Sequence, residues 1–89
     1  MPERTVTVAS SVGLHARPAA TFSQAAASKA PLVITITNSA GRSVNAASIL
    51  GVLSLGVGHG DEVTLSADGD GADAALDELV TMLETDLDA

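Results

Sequence analysis

The chain has 89 residues, 46% of them hydrophobic and 17% charged, with four basic and eleven acidic residues for a formal net charge of −7. That length supports one hydrophobic core, and the apolar share belongs to a folding chain and not a disordered one, so a single domain spanning residues 1–89 is expected. A chain this acidic is repelled by phosphate backbones and anionic lipid, and with one Phe and neither Trp nor Tyr it lacks stacking platforms, which excludes nucleic acid and membranes as partners.

Arg4 to Ala9 alternates Thr5 and Thr7 with Val6 and Val8, the period of two that gives a strand one wet and one buried face. Residues 16–28 then carry Ala19, Phe22 and Ala26 at helical spacing opposite Thr21, Gln24 and Ser28, and Lys29 and Pro31 supply stop signals. Leu32 to Thr37 alternates again, with Leu32, Ile34 and Ile36 on one side and Val33, Thr35 and Thr37 on the other. Asn38-Ser39-Ala40-Gly41 is turn chemistry, and Arg42 to Ala46 returns with Val44 and Ala46 inward to complete a hairpin.

Ser48 starts a short helix running to about Leu55, ended by Gly56 and Gly58 because glycine accepts the left-handed cap conformation. After Gly58-His59-Gly60-Asp61 comes a strand, Glu62 to Ala67, with Val63, Leu65 and Ala67 on one face. Asp68-Gly69-Asp70-Gly71 breaks the chain before the longest helix, Ala72 to Leu87, whose apolar stripe is Ala72, Ala75, Leu76, Leu79, Leu83 and Leu87. Its acids are expected to form a solvated face, with Asp70 or Asp73 complementing the helix dipole. The order βαββαβα, with every strand polar on one face, predicts an α+β fold in which helices cover one side of an antiparallel sheet.

No cysteine is present, so neither a disulfide framework nor a thiolate metal site can form, and ligation would fall to two histidines and carboxylates. His59 has no ligand spacing to His15, and Asp68 to Asp73 resembles a calcium loop but has Leu79 where the twelfth-position glutamate belongs; no metal site is expected. The first residues carry no basic region followed by an apolar core, and no apolar run approaches the length of a membrane span, which reads as cytoplasmic.

The chemistry concentrates in Gly13-Leu14-His15-Ala16-Arg17-Pro18-Ala19. This order sets His15 at or beside the N-cap of the first helix, with Pro18 in the first turn, where its missing N–H costs nothing. Free first-turn amides and the macrodipole favour an anion there and disfavour imidazolium, so His15 is expected to stay neutral near pH 7 with a ring nitrogen free to attack. Arg17 adds a guanidinium suited to phosphate oxygens. The constellation points to phosphoryl acceptance on His15, with the amides of Ala16 and Arg17 and the Arg17 side chain stabilising the transferred group. A competing reading is that His15 only caps the helix and Arg17 is a surface charge. In the short second helix, Ile49, Leu50, Val52, Leu53 and Leu55 are apolar on more sides than one core-facing stripe needs, so part of it should be an exposed patch.

Over nearly its whole length the chain resembles the HPr phosphocarrier proteins of the bacterial sugar phosphotransferase system. The likeness rests on the His15 segment and on Ser48-Ile49-Leu50-Gly51-Val52-Leu53-Ser54-Leu55-Gly56 at appropriate spacing. It implies an open-faced sandwich with strands in the order 1-4-2-3 and three helices on one face, which periodicity alone does not determine. It also implies that His15 takes a phosphoryl group on Nδ1 from phospho-enzyme I and passes it to IIA domains of sugar permeases. Such a protein is a monomeric carrier and not an enzyme by itself, with no cofactor beyond the covalent phosphohistidine.

The resemblance places Ile49, Leu50 and Leu53 beside His15 and Ala20 in the docking surface, and makes Ser48 a target of a regulatory serine kinase in some relatives. Ser48 is equally explained as an N-cap, and Ala47, Gln24 and Ala27 stand where many or some relatives carry lysine, so docking here should lean on apolar contact. Two alternatives remain: a non-catalytic or nitrogen-branch regulatory HPr-like module that binds proteins, and a ferredoxin-like domain that binds a small ligand and is indifferent to His15.

Overall fold

The computed structural model describes residues 2–9, 16–29 and 32–84. Its elements follow the expected order: β1 (Glu3–Thr7), α1 (Ala16–Ala27), β2 (Thr35–Asn38), β3 (Ser43–Asn45), α2 (Ile49–Ser54), β4 (Glu62–Ser66) and α3 (Ala72–Glu84). The strands form one antiparallel sheet in the order β1-β4-β2-β3, so the order implied by resemblance is the order found.

The strands are shorter than their alternating patterns. β1 stops at Thr7 because Val8 turns its backbone to the 58–61 turn, donating to the Asp61 carbonyl at 2.9 Å and accepting from Gly60 N–H at 3.0 Å. β3 spans only three residues, and β2 pairs with it and with β4 from Thr35 onward. Leu32 to Ile34 therefore precede the ladder, although the Ile34 carbonyl still accepts from Ala46 N–H at 2.8 Å. The last helix extends to Glu84, and Leu87 lies outside the described residues.

Register sorts the sheet into two unlike faces. Cross-strand partners share a side, so Arg4, Val6, Val63, Leu65, Ile36, Val44 and Asn38 all lie on the helix-covered face. Val6, Ile36, Val63 and Leu65 there are buried with Phe22 of α1, Val52 of α2 and Leu76, Leu79 and Leu83 of α3 in one continuous core. Each such large side chain contributes about 1.5–3 kcal/mol by leaving water. The other face carries a row of hydroxyls across all four strands, Thr5, Thr64, Thr37 and Ser43. Within it Thr5 and Thr64 share a hydrogen bond at 3.2 Å, and Thr37 and Ser43 one at 2.7 Å.

Two polar residues on the covered face tie elements together. Arg4 donates from Nη2 to Asp73 and from Nε to Asp77, both at 3.0 Å, clamping β1 to α3. Lys29, just beyond α1, pairs with Glu78 of α3. Asp73, Asp77 and Glu78 of α3 are exposed, as expected of a solvated acidic face, and each also engages a cation. Asn38 folds the hairpin turn by accepting from the amides of Ala40 and Arg42 at 3.1 and 2.9 Å, and donates from Nδ2 to the Leu55 carbonyl at 3.2 Å. The hairpin thereby anchors the C-terminus of α2, where Gly56 takes φ +65° as expected of a left-handed cap.

Candidate functional site

The helix-forming run Ala16-Arg17-Pro18-Ala19-Ala20 begins α1 at Ala16, the position the spacing predicted. Pro18 sits in the first turn and is buried, and its lack of an N–H removes one donor that would have no helical acceptor. Arg17 is exposed, and no described residue forms an ion pair with it; the first turn of α1 contains no acid. A guanidinium held at a helix start without a competing carboxylate keeps its donors for an anion. His15, which precedes Ala16 in the chain, lies outside the described residues, as do residues 10–14.

Beside α1 lies α2. Ser48 caps it, with φ −96° and ψ 110° and its Oγ accepting from Gly51 N–H at 3.1 Å. Gly51 lets α2 lie close on β3: a Cβ there would stand 3.2 Å from Val44 Cβ and 3.3 Å from Ser48 Oγ, so a larger residue would push those neighbours back by a few tenths of an ångström. This approach divides the five apolar residues. Val52 and Leu55 are buried, Leu53 is half-buried against the core, and Ile49 and Leu50 are exposed, Leu50 at 77%. Ala20 is half-buried on the facing side of α1.

Between the helices runs an open cleft of about 190 Å³ lined by Ala20, Ser23, Gln24, Ala27, Ala47 and Ile49. The structure therefore brings Ala20 and Ile49 to one cleft, with Leu50 exposed on the same short helix, while Leu53 leans inward. Among the residues lining this cleft, Ser23 escaped the sequence reading. Its signal was available, since it lies four residues after Ala19 and three before Ala26 on the buried stripe of α1.

Charge is distributed unevenly around this surface. Neither α1 nor α2 contains an acidic residue, whereas Glu3, Asp61, Glu62 and the acids of α3 lie on or beside β1, β4 and α3. A domain of net charge −7 thus presents one neutral to weakly positive side. Among the described residues no helix is long and apolar enough to cross a membrane.

Residues 2–85 match the family described as the phosphorylation site of the PTS HPr component. The chain is 44% identical to the phosphocarrier protein HPr of Streptomyces coelicolor over 88 residues, covering 99% of this chain and 94% of that protein. It is 48% identical to the phosphocarrier protein HPr of Haloferax volcanii over 88 residues, with 93% of each covered. The crystal structure of HPr-C-His from Thermoanaerobacter tengcongensis superposes with a TM-score of 0.91 at 40% identity, covering 100% of this chain and 98% of that one. With the sheet order, the helix starting at Ala16 and the capped α2 in agreement with these full-length likenesses, the chain belongs to the HPr family of phosphocarrier proteins of the phosphotransferase system.

Proposed function

We propose that this protein accepts a phosphoryl group on His15 from phospho-enzyme I and delivers it to IIA domains of sugar permeases. The observation that carries the reading is the family match over residues 2–85, together with α1 starting directly after His15. A neutral imidazole next to a helix start attacks phosphorus through a ring-nitrogen lone pair. The bond from phosphorus to the donor breaks, and its electron pair leaves with the donor. Arg17 and the first-turn amides of Ala16 and Arg17 stabilise the charge spread over the phosphoryl oxygens. Onward transfer is the same exchange with an acceptor in place of the donor, so the chain needs no cofactor and acts as a monomeric, cytoplasmic, one-domain carrier. Ala20, Ile49, Leu50 and Leu53 supply the docking contact, apolar enough to release quickly. Ser48, exposed at the start of α2, is a regulatory phosphorylation site for a serine kinase where the host has one.

The test is mass spectrometry after incubation with enzyme I and phosphoenolpyruvate. The expected product is an acid-labile adduct of one phosphoryl group, absent in His15→Ala. An unmodified wild type refutes the carrier reading in favour of a protein-binding module, and an adduct retained in His15→Ala refutes His15 as acceptor.

A further inference from the structure

Asn38 stands at the end of β2, 17 residues before Leu55, and its amide is engaged at both ends. The amides of Ala40 and Arg42 are donors at 3.1 and 2.9 Å, so the side-chain oxygen faces them. Nδ2 must then point the other way, where it meets the Leu55 carbonyl at 3.2 Å. The turn of the β2–β3 hairpin thus dictates the direction of a bond that ends on α2.

With six residues, α2 falls well short of the roughly 12–15 at which an isolated helix is even marginal in water, so its direction is set by what grips it from outside. One grip is Asn45, whose Oδ1 accepts from Ala47 N–H at 2.8 Å and whose carbonyl accepts from Ser48 N–H at 3.0 Å. The flank rests on β3 through Gly51, and Asn38 grips the far end, where the chain reverses at Gly56. Two asparagines of one hairpin therefore hold the two ends of the helix. Apolar packing alone would keep α2 on the sheet without fixing its rotation, whereas a hydrogen bond is directional. Ile49 and Leu50, 40% and 77% exposed, add little to the core, and their placement matters to what docks on them. We propose that Asn38 is a positioning residue for phosphoryl transfer: by fixing the C-terminal end of α2 it holds Ile49 and Leu50 where the protein partner meets them. The inference rests on the carrier reading and adds to it a residue that touches neither the partner nor the phosphoryl group.

The experiment is steady-state phosphorylation by enzyme I and phosphoenolpyruvate with this protein as the varied substrate, run well below the Tm of each variant. Asn38→Asp keeps the oxygen that the turn amides need and replaces the donor by a second acceptor facing the Leu55 carbonyl. It is expected to raise KM about three- to tenfold, the worth of one hydrogen bond, at unchanged kcat, because the reacting groups belong to the start of α1. Asn38→Ser still accepts in the turn but is too short to reach Leu55; it is expected to raise KM to a similar extent without added charge, and it decides the matter should Asn38→Asp not fold. In an Ile49→Ala/Leu50→Ala background, which removes what α2 presents, either substitution is expected to change KM by less than about twofold. Wild-type KM in either folded variant overturns the proposal, and so does an undiminished rise in the Ile49→Ala/Leu50→Ala background, which would mean that Asn38 acts otherwise than through α2. A wild type that enzyme I does not phosphorylate overturns the carrier reading and this inference together, whereas normal phosphorylation indifferent to both substitutions overturns the inference alone.

Discussion

α3 and the α1–α2 pair lie on the same face of one sheet and follow opposite rules. α3 commits Ala72, Ala75, Leu76, Leu79 and Leu83 to the core and engages Asp73, Asp77 and Glu78 with cations from β1 and the end of α1. The α1–α2 side leaves Leu50 in water, keeps a buried hydroxyl unpaired, and has no acid to engage Arg17. Local satisfaction is what a stability element needs, and incomplete satisfaction is what a surface that must bind and release needs. One small domain holds both by assigning them to different helices.

The sharpest break of this contrast is on the α3 side. Leu79→Ala, at a fully buried position, should cost about 2–5 kcal/mol through lost transfer and cavity terms, lowering Tm by ~10–30 °C in a domain of this size. A loss below about 1 kcal/mol by chemical denaturation would mean that α3 is not the stabilising partner. On the other side, Leu50→Asp should leave Tm within ~2 °C of wild type because the side chain is already solvated, yet raise KM for phosphorylation by about tenfold. Early melting of that variant would return Leu50 to the core and erase the distinction.

Ser48→Ala tests the seam between the regions. It removes the cap of a six-residue helix and should cost about 1 kcal/mol, or ~4–8 °C in Tm, without the KM effect of Leu50→Asp. The smallest effect is expected at Arg4, whose pairs with Asp73 and Asp77 are solvent-exposed. Arg4→Ala should lower Tm slightly at low salt and not at all in molar salt. Hydrogen bonding to Asp73 and then Asp77 raises the Arg4 pKa above its ordinary value. A raised folded pKa gives a contribution complete below the unfolded value and lost only as pH climbs through the folded one. Titrating from about pH 6 to 10 should therefore leave the Arg4 increment constant, and a fall within that range would contradict the pairing.

Much of the fold was legible because the strands alternate. Val6, Val8, Ile34, Ile36, Val63, Leu65 and Ala67 are all buried as their period of two required. The register also puts Arg4 and Asn38 on the covered face, two residues from Val6 and Ile36, which the sequence reading does not remark, since Asn38 reads there as turn chemistry; a polar residue on an apolar stripe finds its meaning only when its partner is known. Those partners, Asp73, Asp77 and the Leu55 carbonyl, are long-range. Strand order came from resemblance alone, since nothing local to β1 names β4 as its neighbour. In α2 composition said that some of Ile49, Leu50, Val52, Leu53 and Leu55 must be exposed and could not say which, because the choice depends on Gly51 seating the helix over Val44. Val57, an isolated valine between glycines, carried no periodic signal and is nonetheless buried. At the candidate site the motif located the helix start to the residue, while Ser23 passed unremarked because a serine on a helix is ordinarily taken for surface.

The clamp that joins Arg4 to Asp73 and Asp77 has a consequence for how the protein is made. Its partners are 69 and 73 residues downstream, and among the described residues β1 pairs only with β4, so β1 is synthesised ahead of the other elements of the sheet and is the last of them to find its place. At synthesis rates of about 5–20 residues per second, Val6 and Val8 wait roughly 3–15 s for a surface to cover them. A chain broken off before α3 has neither Asp73 nor Asp77 for Arg4 nor a roof over β1, which makes premature termination a source of exposed, pairing-competent strand and not of a smaller folded domain.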